Sequence, residues 1–153
     1  MVTTYDDILA GLRKAIEEAP SHTEAMRDTV AILKRELPDY SWVGIYLLEG
    51  NDLVLGPFLG KPSPHTRIPL NQGICGAAAS QRQTIVVADV DADPRYLACS
   101  LETRSEIVVP ILRGLDVLGE IDVDSDKKAA FGAHDRELLE SAAALLARKF
   151  PAR

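Results

Sequence analysis

Two apolar, β-branched runs, Ile107–Leu112 and Leu115–Val123, meet at Arg113-Gly114, and this pairing restricts the possible folds more than any other stretch. Such runs around a short glycine-bearing turn predict a β-hairpin. Strand side chains alternate between faces, so Glu120, Asp122 and Asp124 share one face while Ile121 and Val123 take the other. Glu106 places another carboxylate at the head of the first run. Acids inside strands of this kind mark either a solvated sheet face or a site, and alternation alone leaves both open.

The rest of the chain supplies partners for that hairpin. Ile8, Leu9, Leu12 and Ile16 recur at a helical period, with Thr4 as cap, Asp7 three residues on and Pro20 as stop. Ser21 or Thr23 caps a second helix whose stripe is Met26, Val30, Leu33 and Leu37, closed by Pro38. Ser41–Leu48 is a strand, with Val43, Ile45 and Leu47 on one face and Trp42, Gly44 and Tyr46 on the other. Gly50-Asn51-Asp52 turns it into a second strand, Leu53–Phe58. Aromatic residues at 42 and 46 fit a core or a ligand wall, and Gly44 between them leaves space for a pocket. Residues 60–69 carry proline and polar residues and predict a loop or irregular edge. A short alanine-rich helix to about Gln81, a strand over Gln83–Ala88 and a last helix over Ala133–Phe150 complete the set. Hairpins imply antiparallel pairing, so the fold class is α+β with helices covering a sheet face.

At 153 residues the chain fits a single domain, with helices over 1–38, sheet and pocket over 41–131 and a closing helix over 133–150. The formal net charge of −6 with no basic stripe argues against a nucleic-acid partner. No apolar run approaches a membrane span, and the N-terminus lacks the pattern of a signal peptide. The expected setting is cytoplasmic and reducing. Two cysteines and three histidines lack metal-ligand spacing, so no metal is expected.

The two cysteines carry the chemistry worth weighing. Cys75 falls near a helix N-terminus, where the macrodipole favours thiolate, yet its alanine neighbours equally suit a small core residue. Cys99 lies between Arg95 and Arg104, which favour its thiolate, while convergent carboxylates would oppose it.

Read in order, WVGIYLLEG, LVLGPFLGKP, RIPLNQGICGAAA, the VADV…ACS segment, SEIVVPI and GEIDVDS resemble the free methionine-R-sulfoxide reductases, which are built on a GAF domain, from Trp42 to Phe131. The resemblance implies a GAF fold with a central six-stranded antiparallel sheet, helices packed on one face and a closed ligand pocket on the other. It also implies a homodimer, free methionine-R-sulfoxide as substrate and thioredoxin as the external reductant, with no cofactor. Residue by residue, it implies that Cys99 is the nucleophile and Cys75 one of two further cysteines. Glu106, Asp122 and Asp124 are implied as ligand-binding and acid residues, and Trp42 and Tyr46 as the aromatic wall. The family's other cysteine falls where this chain has Ser63-Pro64-His65-Thr66, which leaves Cys75 as the internal candidate to resolve an oxidised Cys99.

These residues suit that chemistry. A free amino acid carries an ammonium group that needs carboxylate partners once removed from water. A carboxyl kept protonated by its neighbours donates to a sulfoxide oxygen. The expected reaction yields methionine, a sulfenic acid and then a disulfide. The alternative is a non-catalytic GAF module that binds or senses a small ligand.

Overall fold

The computed structural model describes residues 3–97 and 101–152. Helix α1 (Tyr5–Glu18) starts at Thr4, whose Oγ1 accepts from the Asp7 N–H at 3.1 Å while Asp7 Oδ2 accepts from the Thr4 N–H at 3.1 Å. Ser21, the first of the two expected caps, opens α2 (His22–Glu36) by accepting from the Glu24 N–H at 3.1 Å. Strands β1 (Trp42–Glu49), β2 (Asp52–Leu59) and β3 (Arg67–Pro69) follow, then α3 (Gly73–Gln81) and β4 (Ile85–Val87). The hairpin is β5 (Ser105–Arg113) and β6 (Asp116–Ser125), and α4 (Ala133–Lys149) closes the chain.

The six strands form one antiparallel sheet in the order β3-β2-β1-β6-β5-β4, which places the acid-bearing β6 between β1 and β5 at its centre. One face carries Val43, Ile45, Ile107, Val109, Ile121 and Val123 into a core with α1, α2 and α4. The alternation sends Trp42, Tyr46 and Val108 to the other face, where α3 supplies Ile74, Cys75, Ala78 and Ala79. Among the described residues no helix is long and apolar enough to cross a membrane.

Two local expectations are corrected, and a third, the loop or irregular edge over 60–69, is made specific. The proline-bearing stretch 60–69 ends in an edge strand, since Arg67–Pro69 pairs with Asp52–Val54. Pro69 is tolerated there because an edge strand can spare a ladder donor. The strand expected over Gln83–Ala88 shrinks to Ile85–Val87. Arg82 caps α3 in the left-handed region at φ 53°, and the Gln83 N–H donates back to Ala78 O, so residue 83 still belongs to the helix end. The hairpin turn sits at Gly114-Leu115 rather than Arg113-Gly114, with Gly114 at φ 60° and Arg113 paired to Asp116.

Candidate functional site

The register lines up the acids in rows across the sheet. Glu106 on β5 lies opposite Asp124 on β6, which lies opposite Trp42 on β1. One row on, Asp122 stands between Val108 and Gly44, and Glu120 stands between Pro110 and Tyr46. Like charges set opposite one another destabilise a sheet. This face is not solvated: Glu106 is 4% exposed, Glu120 0%, Asp122 2% and Asp124 2%. Among the described residues, no lysine or arginine is ion-paired with any of the four. Both Oε atoms of Glu120, Oδ1 of Asp122 and Oδ1 of Asp124 are buried without a hydrogen-bond partner. Of the two readings that alternation left open, the solvated one is excluded.

Burial and mutual repulsion push these carboxyls up. Glu106 rises well above the usual range through burial and then through Asp122 and Asp124. Asp124 rises well above it through burial and the Asp122 charge, and Glu120 for the same two reasons. Burial also raises Asp122, while its hydrogen bond with Glu106 pulls the other way. Hydrogen bonding within the trio raises Glu106 further and partly offsets the rise of both aspartates, and all three carboxyls stay above the usual range.

Cys75 lies in the first turn of α3, above this face. Its Sγ donates to Asp122 Oδ2 at 3.5 Å. Of the two readings of Cys75, the small buried residue holds over the helix-end thiolate: burial, then the charges of Asp122, Glu120 and Glu106, hold its thiol well above its ordinary value. A partial helix-end charge cannot outweigh complete burial beside several acids.

The aromatic wall is fixed by its polar tips. Trp42 Nε1 donates to Lys61 O at 3.0 Å, and the Tyr46 hydroxyl donates to His65 O at 2.8 Å, so both hold the 60–66 loop. Their ring centroids are 6.5 Å apart, and Trp42 stacks on Phe58 at 5.7 Å. The space expected at Gly44 is taken by Trp42 itself. A Cβ on Gly44 would stand 2.3 Å from the far edge of the Trp42 indole, so the glycine makes room for a ring and not for a ligand.

Tyr46, Cys75, Glu106 and Asp122 line one inner hollow, roofed by His65 and Leu97. Its volume is about 10 Å³, the room of a single water. The Leu97 side chain packs on Gly73 at the head of α3. Trp42 and Asp124 line a second recess of about 60 Å³, over which Lys61 Nζ meets Glu102 Oε2 at 2.6 Å. Cys99 lies outside the described residues. Glu120 was legible on the acid face but not singled out as a site residue. Its full burial beside Asp122 makes it part of the shell, and the period-2 spacing from Asp122 was the signal.

The GAF domain family matches residues 21–150. The free methionine-R-sulfoxide reductase of Escherichia coli (strain K12) is 34% identical over 142 residues, covering 93% of this chain and 86% of that protein. The free methionine-R-sulfoxide reductase of Neisseria meningitidis, solved in complex with its substrate, superposes with a TM-score of 0.91 at 36% identity, over 95% of this chain and 87% of that one. The fRMsr of Staphylococcus aureus, also in complex with substrate, gives 0.89 at 36% identity over 97% of both chains. With a likeness that spans every strand carrying an acid or a wall residue, the chain belongs to the GAF domain family and, within it, to the free methionine-R-sulfoxide reductases.

Proposed function

We propose that this chain reduces free methionine-R-sulfoxide to methionine, with Cys99 as the nucleophile. The observation that carries the reading is the set of buried acids: Glu106 and Asp122 line the inner hollow and Asp124 the recess beside Trp42, with no lysine or arginine among the described residues ion-paired with them. Four buried carboxyls in one patch cost stability unless a cation arrives to use them. The ammonium group of a free amino acid supplies that cation, and Asp122 and Asp124 receive it. Trp42 and Tyr46 enclose the methylthio end, where sulfur meets aromatic carbon favourably. The relatives named free methionine-R-sulfoxide reductase support the same assignment.

Glu106, whose carboxyl is held up by burial and by Asp122 and Asp124, gives a proton to the sulfoxide oxygen as the Cys99 thiolate attacks the sulfur. The sulfur–sulfur bond so formed breaks as the protonated oxygen passes from the substrate sulfur to the Cys99 sulfur, which releases methionine and leaves Cys99 as a sulfenic acid. The Cys75 thiol then displaces water from it to form a disulfide, which the dithiol of thioredoxin reduces. Entry requires Leu97 to leave Gly73, because the hollow holds one water as it stands. The working form in this proposal is a cytoplasmic homodimer. Thioredoxin-coupled NADPH consumption with the separate R and S epimers of free methionine sulfoxide tests the reading. Consumption with R alone is expected, and binding of the R epimer without consumption overturns it in favour of a ligand-binding module.

A further inference from the structure

We propose that Cys75 Sγ and the carboxylates of Glu106 and Asp122 bind a divalent transition ion, Zn²⁺ in chemical character, in the inner hollow. Each residue offers one ligand atom, and the three lie within 4.8 Å of one another. Cys75 Sγ and Asp122 Oδ2 are already 3.5 Å apart, about the spacing that tetrahedral Zn–S and Zn–O bonds impose. The donors come from three elements, α3, β5 and β6, at positions 75, 106 and 122. No short sequence spacing announces such a set, which is why the sequence suggests no metal.

A second observation, beyond the spacing of the donors, points to an occupant. Asp122 lines the hollow, is 2% exposed, and its Oδ1 has no partner. A hollow of about 10 Å³ has the volume for an ion, whereas an amino acid needs Leu97 displaced. A thiolate with two carboxylates selects a borderline ion such as Zn²⁺ over Ca²⁺ or Mg²⁺. Three protein ligands leave a fourth position open. Binding replaces the Cys75 thiol proton, which is donated to Asp122 Oδ2 in the free chain, with the metal, so a proton is released and affinity rises with pH. The inhibitory consequence rests on the proposed function: the ion sits on acids meant for the substrate's ammonium and competes with it.

The test is titration of the reduced full chain with Co²⁺, followed by Zn²⁺ displacement. Expected are a thiolate-to-cobalt charge-transfer band, visible bands of four-coordinate strength, and proton release. Cys75→Ser, which keeps Cys99, should lose the charge-transfer band, and Glu106→Gln should weaken Zn²⁺ binding by about 10-fold or more. Free methionine-R-sulfoxide should raise the apparent Zn²⁺ dissociation constant. A missing band in the unsubstituted chain, or an unchanged band in Cys75→Ser, overturns the inference. If Cys75→Ser fails to fold, Glu106→Gln decides: weaker Zn²⁺ binding is the expected result, and an unchanged affinity overturns the inference equally. Metal binding by a chain that shows no turnover when metal-free would sink the reductase reading and leave the site standing, while turnover by a chain that binds no metal would do the reverse.

Discussion

Cys75 Sγ donates a hydrogen bond to Asp122 Oδ2 across 3.5 Å, joining the first turn of α3 to the central strand β6. A thiol that donates to an acid, held up by burial, is protonated at neutral pH. Reactivity follows thiolate fraction, falling about tenfold for each unit of pKa rise. Native Cys75 should therefore resist iodoacetamide at pH 7.5 and react fully after unfolding, as read by peptide mass spectrometry. Complete native alkylation would contradict the geometry.

Cys75→Ser separates the chemical step from recycling. The variant should release one equivalent of methionine per chain in a single turnover and then slow with thioredoxin as reductant. Cys99→Ser should lose at least about 10³-fold in kcat while still binding substrate, the pattern of a removed nucleophile. Quenched-flow methionine release and thermal shift with substrate distinguish the two. Equal steady-state rates for Cys75→Ser and the unsubstituted chain would mean that an outside thiol resolves Cys99.

The buried acids set a pH dependence opposite to that of ion-paired carboxylates. Asp124 has its folded pKa raised, so the folded chain keeps a proton that the unfolded chain loses from about pH 4 upward. The stability held below that pH is lost as pH rises through the folded value, at about 1.4 kcal/mol per unit for one group. Asp124→Asn removes that loss. It should melt higher than the unsubstituted chain at pH 8, match it near pH 4, and bind methionine sulfoxide more weakly. Melting curves across this range check the sign, and an equal difference at both ends would refute it.

Much of this site was legible because alternation is strict in β1 and β6. Val43 and Ile45 face the helices while Trp42 and Tyr46 face the acids, as period 2 requires. What covers a face is not written in its own alternation. The burial of Glu120 depends on α3 and on the loops above it, which are distant in sequence. The edge strand Arg67–Pro69 was hidden for a related reason, since its pairing comes from β2 and its own residues carry turn composition. Gly44 misled because an absent side chain creates room without naming the occupant, which is the Trp42 indole.

The 60–66 loop depends on two aromatic donors. Tyr46→Phe leaves His65 O without its 2.8 Å donor, and Trp42→Phe leaves Lys61 O without its 3.0 Å donor. Each loss should cost about 0.5–1.5 kcal/mol in urea unfolding. Both variants keep a ring in the wall, so the fold persists while KM for methionine sulfoxide rises several-fold. A KM unchanged in both would show that the loop does not shape the pocket.

Asp135 ties three elements together away from the acid face. Its Oδ1 accepts from the hydroxyls of Tyr5 at 3.0 Å and Tyr40 at 2.8 Å, and its Oδ2 accepts from the Gly132 N–H at 2.9 Å. Asp135→Ala removes the acceptor of all three donors; the Tyr40 hydroxyl is the buried one, and a buried donor left unsatisfied costs about 1–3 kcal/mol. The expected loss is about 2–4 kcal/mol, with activity retained in the folded fraction. Burial, then the Asp135 charge, pushes the Tyr5 phenol up to about 12 and raises Tyr40 as well. A raised phenol keeps its proton in the folded chain after the unfolded chain has lost it near pH 10, so stability falls as pH rises beyond that point. Asp135→Asn keeps an acceptor but removes the charge, so its stability should decline less steeply between pH 9.5 and 11. Urea unfolding at both pH values measures this, and an identical slope would mean that burial alone raises the two phenols.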